Sequence, residues 1–505
     1  MRRPLLLALA ASFALTACGT TVPLTSQVAG AQSDGTVAGS TGTGTSGTTE
    51  LGTSGTATTG STGGALGGTG SSGAAGSTGS ATTGGASSTG MAGSGSTGSS
   101  ATSGGRLITP LRVGVVTTDI GAAVAALGGS SSGNMGPEDG YKAIFKSVNA
   151  AGGLAGRRIV ATYVKIDALD NSYQQDADKA CATFKDARVE VVLSESASTG
   201  YGFAACLSKA GVPLLSSNAA DNAGLAKAPT VFGAFAPSFD RGYGAVVDKL
   251  VASGYLTQKS KIGTVRITCS EVDRAYKSSV LARMKAAHLA SPIEYTVSCA
   301  SGFQDAGAYS AAMQSAVLRF AAAGVDRVFI IGDQETLLLS YFAEQAQSQG
   351  YHPGYALSSG SLPITLIGAS TFPAQQLPQV HGVGWHPQGD AGLDPKTPAE
   401  QRCKALAAKG GIPVKDITTT YVVYQNCSNV FLLEAAMRKG NGSANSSALR
   451  ATIPALGTSF ASTGLIAGAT QFGQGRQDGP QLASEWSYIT SCNCMKYLGK
   501  PSAMR

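Results

Sequence analysis

From Leu111 onward the chain alternates short apolar runs with amphipathic helical stretches, and at Lys261 the same alternation starts again. In the first run strands are expected over Leu111–Thr117, Arg158–Ile166, Glu190–Ser194 and Val212–Ser216. Helices over Pro137–Ala150, Asn171–Ala187 and Gly200–Ala210 separate them. The second run places strands over Lys261–Ile267, Ile293–Val297, Arg327–Ile331 and Tyr355–Leu357, with a further strand at His381–Trp385. Its helices are Asp273–Ala287, Tyr309–Ala323 and Glu335–Gln349. Strands that alternate with helices form a parallel sheet covered on both faces. Two such runs therefore imply an α/β protein of two doubly wound parallel-sheet lobes, between which a small molecule can be enclosed.

Composition divides the chain at Arg106. The 400 residues from Arg106 to Arg505 hold nearly all the charge, aromatics and proline, enough for two separate cores. Residues 19–105 are almost entirely Gly, Ser, Thr and Ala, with Asp34 and Glu50 as their only charges. Such a segment has too few large apolar side chains to offset the entropy of ordering, and reads as a disordered tether averaging about 50 Å end to end. Before it, Arg2 and Arg3 precede an apolar run from Leu5 to Leu15, 11 residues long. A membrane-crossing helix needs about 20, so this is the form of a secretory signal. The run closes on Leu15-Thr16-Ala17-Cys18, which resembles the lipobox of bacterial lipoproteins. That resemblance implies removal of residues 1–17 and lipidation of Cys18, anchoring an extracytoplasmic protein to the cell membrane. Loss of Arg2 and Arg3 lowers the net charge from +7 to +5, with no basic cluster to receive nucleic acid.

Lipidation of Cys18 leaves eight of the nine cysteines, and an even number in an exported protein points to disulfides. Spacing suggests Cys181–Cys206, Cys269–Cys299 and Cys403–Cys427. Cys492 and Cys494 are left over, able to join each other only in a small ring or to take part in a metal site. Four scattered histidines supply no ligand spacing for a metal, and none is expected.

The run Asn149-Ala150-Ala151-Gly152-Gly153-Leu154-Ala155-Gly156-Arg157-Arg158-Ile159 resembles a signature of type I periplasmic binding proteins, in the branch of the leucine/isoleucine/valine-binding protein. Val191 to Asp221 is similar to that family as well, through a strand, a Ser-rich turn, a Cys-bearing helix, Gly-Val-Pro, a strand and a Ser-Asn-Ala-Ala turn. The interval from Cys181 to Cys206 is similar to the family's disulfide. The resemblance implies three crossovers between lobes, near Phe235, Val380 and Gly464. It divides the folded part into 106–236 (first lobe), 237–380 (second lobe), 381–463 (return to the first) and 464–505 (second lobe).

By the same resemblance Ser196 stands where a hydroxyl holds a ligand carboxylate, with Ser198 and Thr199 as neighbouring contacts or helix caps. Asn218 and Ala220 occupy the turn that meets a ligand amino group, although the family's hydroxyl is missing there. Tyr276 fits a ligand-covering tyrosine or a packed residue at a helix start. Where the family has a carboxylate after the strand Tyr355–Leu357, this chain has Ser358-Ser359-Gly360-Ser361, so either Asp333 or Glu195 takes over that role or the ligand is not an α-amino acid. Trp385 could wall the pocket or sit in the core.

No nucleophile with a partnered base, paired carboxylates or phosphate-binding motif is legible, so neither catalysis nor a cofactor is expected. The expected partners are a small-molecule ligand, an ABC permease and, through Cys18, the membrane, with the protein a monomer. A ligand-sensing lipoprotein serving a signalling receptor is the competing function.

Overall fold

The computed structural model describes residues 109–119, 136–167, 173–194, 202–218, 220–299, 306–332, 335–369, 371–392 and 397–505. Cys18, and with it the expected signal and tether, lies outside the described residues. All described residues fall within one compact unit, Ser99–Arg505.

The first lobe carries a five-stranded sheet in the order β2-β1-β3-β4-β5, every neighbour parallel. Its strands are β1 (Leu111–Asp119), β2 (Ile159–Asp167), β3 (Val191–Ser194), β4 (Leu214–Ser216) and β5 (Val231–Gly233). Leu111, Val113, Val115 and Val116 of β1 are all buried, as a central parallel strand covered on both faces requires. Gly114 has a further reason to be small. A Cβ there would lie 2.8 Å from the Phe184 ring, so glycine lets helix α2 (Tyr173–Asp186) rest directly on the sheet.

Helix α1 (Pro137–Ala150) begins with Pro at its first turn beside Glu138 and Asp139, which favour the positive end of the helix dipole. It buries Tyr141, Ile144, Phe145 and Val148 as one stripe. The family signature is the machinery that ends this helix. Gly152 (φ 100) and Gly153 (φ 89) turn the chain, and a Cβ on Gly153 would fall 2.1 Å from the Arg157 carbonyl oxygen. Asn149 then clamps β2, donating to the Ile159 carbonyl at 2.9 Å and accepting from its N–H at 2.7 Å. Arg157 forms a bidentate pair with Glu190 (2.6 and 2.9 Å) and donates to the carbonyls of Thr109 and Pro110. The signature thus fastens the start of the first lobe at the N-terminal ends of its strands.

The second lobe carries a seven-stranded sheet in the order β12-β11-β10-β9-β8-β6-β7. Strands β6 (Ile262–Ile267), β7 (Ile293–Val297), β8 (Arg327–Ile331), β9 (Gly354–Ser358) and β10 (Val380–Gly384) run parallel. The hairpin β11 (Leu482–Ile489) and β12 (Cys494–Ala503) adds an antiparallel edge. The strand expected to open the return segment is therefore β10, a member of the second sheet beside β9. A β-type apolar run does not announce its sheet, and the chain still packs in the second core at Ala391 before it returns to the first at Cys403.

The return covers the first lobe with α11 (Pro398–Gly410) and α12 (Ile417–Lys439). Thr397 and Glu400 form a reciprocal capping box at the start of α11. Cys403, Val423, Tyr424, Val430 and Leu433 join the first-lobe core, and Cys403 is bonded to Cys427. The last crossing is also later than Gly464. Leu465 packs in the second core, but Phe472 packs in the first and Gly233 of β5 bridges Asp478. Only at Leu482 does the chain enter the second sheet.

Gly410 sets the approach of α11 to α1, because a Cβ there would lie 2.2 Å from the Ala143 carbonyl oxygen. That oxygen is backbone and cannot swing aside. Gly410→Ala should cost about 2–3 kcal/mol by forcing the helices apart, read as a lower urea midpoint at unchanged slope. An unchanged midpoint would show that the contact yields freely.

Candidate functional site

In open α/β sheets ligands collect beyond the carboxyl ends of strands. In the first lobe β3 ends at Ser194 and β4 at Ser216. Ser196, Ser198 and Thr199, like Glu195 and Asp333, lie outside the described residues. The turn after β4 is described on either side of residue 219 and is tightly held. The Ser217 N–H donates to the Ser194 carbonyl at 2.8 Å, and the Ser217 carbonyl accepts from Ala236 at 2.7 Å. Asn218 donates its backbone N–H to the Ser216 hydroxyl at 3.2 Å, and both Asn218 and Ala220 are half-buried.

A residue that the sequence did not flag frames this end of the sheet. Asn429, fully buried on α12, donates its amide to the Ser194 carbonyl (2.8 Å), the Ser217 hydroxyl (3.2 Å) and the Tyr141 hydroxyl (2.9 Å). One side chain from the return segment therefore ties together the ends of β3 and β4. Buried apolar neighbours on every side of α12 hide such a residue from pattern reading.

The next residue, Asp221, spans the two lobes. It caps helix α4 (Asn222–Lys227), accepting from the Gly224 N–H at 3.2 Å. It also takes both arms of Arg274 at 2.7 and 2.9 Å. Arg274 belongs to α6 (Ser270–Ala275) in the second lobe, where Cys269–Cys299 ties the ends of β6 and β7. Tyr276 comes two residues later, at the start of a π-helical stretch (Tyr276–Leu281) that leads into α7 (Ala282–Ala286). It points into the second core, with none of its surface exposed, its hydroxyl 3.1 Å from Thr264 and the Arg266 guanidinium 4.6 Å from its ring. Burial pushes its hydroxyl pKa well up. From this helix it is Arg274 that reaches the facing lobe.

The turn Ser358–Ser361 is flanked by two carboxyl groups from elsewhere in the chain. Glu335, opening α9 (Glu335–Ser348), accepts from the Ser358 N–H (2.8 Å) and hydroxyl (2.5 Å). Asp390, on α10 (Pro387–Ala391), accepts from the Ser359 hydroxyl and the His386 N–H, each at 2.9 Å, and from the Tyr497 hydroxyl. Gly384 makes room for it, since a Cβ there would lie 2.0 Å from its Oδ2. Both acids are fully buried, and that burial pushes each up to about 7. Sequence reading could not find them, because neither stands in the turn that they serve.

Four residues distant in sequence meet in a buried cluster near this turn. The His386 ring stacks on Phe235 at 3.9 Å, and Tyr421 meets both rings edge-on. His386 Nδ1 donates to the Gly464 carbonyl at 3.1 Å, and burial holds its pKa down to about 3. Gly464 (φ +71) leaves 2.5 Å between a would-be Cβ and Phe235. Trp385 is 6% exposed and lies over Gly242, in the core.

A recess of about 200 Å³ lined by Tyr255, Arg327 and His381 opens at the opposite, N-terminal ends of β8, β9 and β10. Its polar groups answer one another, with His381 paired to Glu485 and Arg327 stacked on Tyr255. Among the described residues no group of three His, Cys, Asp or Glu is placed to hold a metal ion. None of the described helices is long and apolar enough to cross a membrane.

Two outcomes follow from these groups. Asp221→Ala removes a cap and one half of a lobe-spanning pair, and should cost about 2–3 kcal/mol, discounted because Arg274 is nearly half exposed. Asp221→Asn keeps a capping oxygen and should cost about 1 kcal/mol in the same urea titration. Equal losses for both variants would assign the whole effect to the ion pair. For Glu335 and Asp390 the folded values lie above the unfolded ones, so between about pH 4 and 7 the folded protein keeps protons that the unfolded chain has released. Their contribution is complete at the acid end and is lost as pH rises through the folded values. Glu335→Gln with Asp390→Asn should therefore gain in melting temperature relative to the parent as pH rises from about 4.5 to 7.5. A difference independent of pH would contradict the buried-acid reading.

The family model described as periplasmic binding protein matches residues 110–486. A type 1 periplasmic binding protein from Bordetella pertussis Tohama I superposes with a TM-score of 0.58 at 17% identity, covering 77% of this chain and 100% of its own. An ABC transporter substrate-binding protein from Desulfitobacterium hafniense, in complex with Leu, gives 0.53 at 17% identity over 77% and 100% of the two chains. A solute-binding protein of an ABC transporter from R. palustris, in complex with 4-hydroxybenzoate, gives 0.56 at 13% identity over 79% and 98%. No curated protein matches the chain by sequence.

Proposed function

The chain belongs to the type I periplasmic binding proteins, a family of extracytoplasmic solute-binding proteins, and on that footing we propose that it captures a small carboxylate-bearing solute between its lobes for an ABC importer. The solute is an amino acid or a related amide or carboxylate. The carrying observation is the frame of Asn429, Ser194 and Ser217, which holds two strand ends together at the place where ligands collect. Ser196 follows one end by two residues, and Asn218 and Ala220 follow the other. In this reading the Ser196 hydroxyl receives the carboxylate, with Ser198 and Thr199 beside it. Asn218 offers its amide where the family's hydroxyl is missing.

Leu and 4-hydroxybenzoate, the ligands of the two relatives named above, share a carboxylate but differ in their other half. That other half is where this chain departs most from its branch, with serines after β9 and acids buried beneath them. Carboxyls buried beneath the turn and already bonded to Ser358, Ser359 and Tyr497 are not presented as a counter-charge to a ligand ammonium. An aromatic or aliphatic acid without an amino group therefore suits the second wall at least as well as an α-amino acid. Lipidation at Cys18 would keep the binding head at the outer face of the membrane, working as a monomer beside its permease.

The test is the thermal midpoint of the purified protein against leucine, other amino acids, amides, aliphatic acids and hydroxybenzoates. A true ligand at a hundredfold excess over Kd should stabilise the head by about 2.7 kcal/mol, and Ser196→Ala should abolish that shift. A flat response from well-folded protein across the panel would overturn solute capture. A response retained in Ser196→Ala would overturn the assigned contact.

A further inference from the structure

The hairpin between β11 and β12 turns at Thr490–Cys492 and Asn493 (φ 47), and there Cys492 is bonded to Cys494 across that one residue. It differs from the other disulfides in two respects. Cys181–Cys206, Cys269–Cys299 and Cys403–Cys427 join residues 25, 30 and 24 positions apart, and each has at least one sulfur shut in a core. Cys492 is exposed and Cys494 half-buried, at the tip of an edge hairpin. The entropy that a cross-link removes from the unfolded chain grows with the logarithm of the loop it closes, so this bond stabilises the fold least.

The hairpin also holds its shape without it. Its strands pair from Ile489 opposite Cys494 back to Leu482 opposite Ala503, and the Tyr488 hydroxyl donates to Asn493 Oδ1 at 2.8 Å. A disulfide that adds little to stability and lies at an exposed residue of a hairpin tip is one that a thiolate can reach in the folded state.

We propose that Cys492–Cys494 is a thiol–disulfide exchange site, reduced by low-molecular-weight thiols while the rest of the protein stays folded. The thiolate attacks the Sγ of Cys492, the more exposed residue of the pair, and forms a mixed disulfide, and Cys494 leaves as a thiolate that takes up a proton. A second thiolate attacks the sulfur of the bound thiol, releasing Cys492 and forming the small-molecule disulfide. The protein gains two electrons and two protons, and two thiols are oxidised to one disulfide. The reverse sequence restores the bond.

The full chain is equilibrated in glutathione buffers of graded ratio, quenched with an alkylating reagent and mapped by mass spectrometry, with circular dichroism on parallel samples. Double alkylation of the peptide carrying Cys492 and Cys494 should appear first, at an unchanged melting curve, with the other six head cysteines still protected. Cys492→Ser/Cys494→Ser should lose that step and keep its melting curve. Reduction of another pair first, or of all four together with unfolding, would overturn the proposal. So would a large fall in melting temperature in the double variant, since the bond would then be structural.

Discussion

Three stretches of the chain far apart in sequence are held together by one buried ring stack. Phe235, His386 and Tyr421 share one contact, and Gly464 lies against Phe235 because it has no side chain. A charged imidazolium could not sit there, and burial holds His386 neutral, its Nδ1–H satisfied by the Gly464 carbonyl. Trp385 precedes His386 directly, and Asp390, four residues after it, accepts from its N–H and reaches the serine turn of the second lobe. Tyr421 lies two turns before Asn429 on the same helix, so the stack also locates the side chain that frames the first lobe's strand ends.

The carboxyl ends of the two sheets are built by different means. In the first lobe, groups at the ends of β3 and β4 are gathered by the one neutral amide of Asn429. In the second, carboxyls are drawn inside to hold a serine turn. The ion pair between Asp221 and Arg274 is one charged contact between the lobes, beside the turn after β4.

Much of this architecture was legible because its signals are local. The alternation of strand and helix through Leu357 anticipates β1 to β4 and β6 to β9 to within a few residues, and the spacing of six cysteines suggests the three long pairs that the structure holds. Illegible features depend on contacts made through space. β10 reads as a strand wherever it goes, so its sheet could not be told. Helix α12 is buried on most sides and lacks the one-sided period that marks a surface helix. Tyr276 stands where a cleft residue was expected, but a π-helical stretch begins at that position and Thr264 takes its hydroxyl. Glu335 and Asp390 replace the missing carboxylate only in the sense of lying near it, far away in sequence and facing inward.

The threading of the chain has a consequence for how the protein comes to be folded. The first lobe's core needs Cys403, Val423, Val430 and Leu433, which leave the ribosome after the whole parallel part of the second sheet. Until then the face that α11 and α12 will cover stays open, and contacts of such long sequence separation form slowly. The second lobe can build five of its seven strands from one uninterrupted stretch, whereas the first, begun earlier, waits for α11 and α12. The β11–β12 hairpin then comes last of all and completes the second sheet, so each lobe depends on a segment made after most of the other.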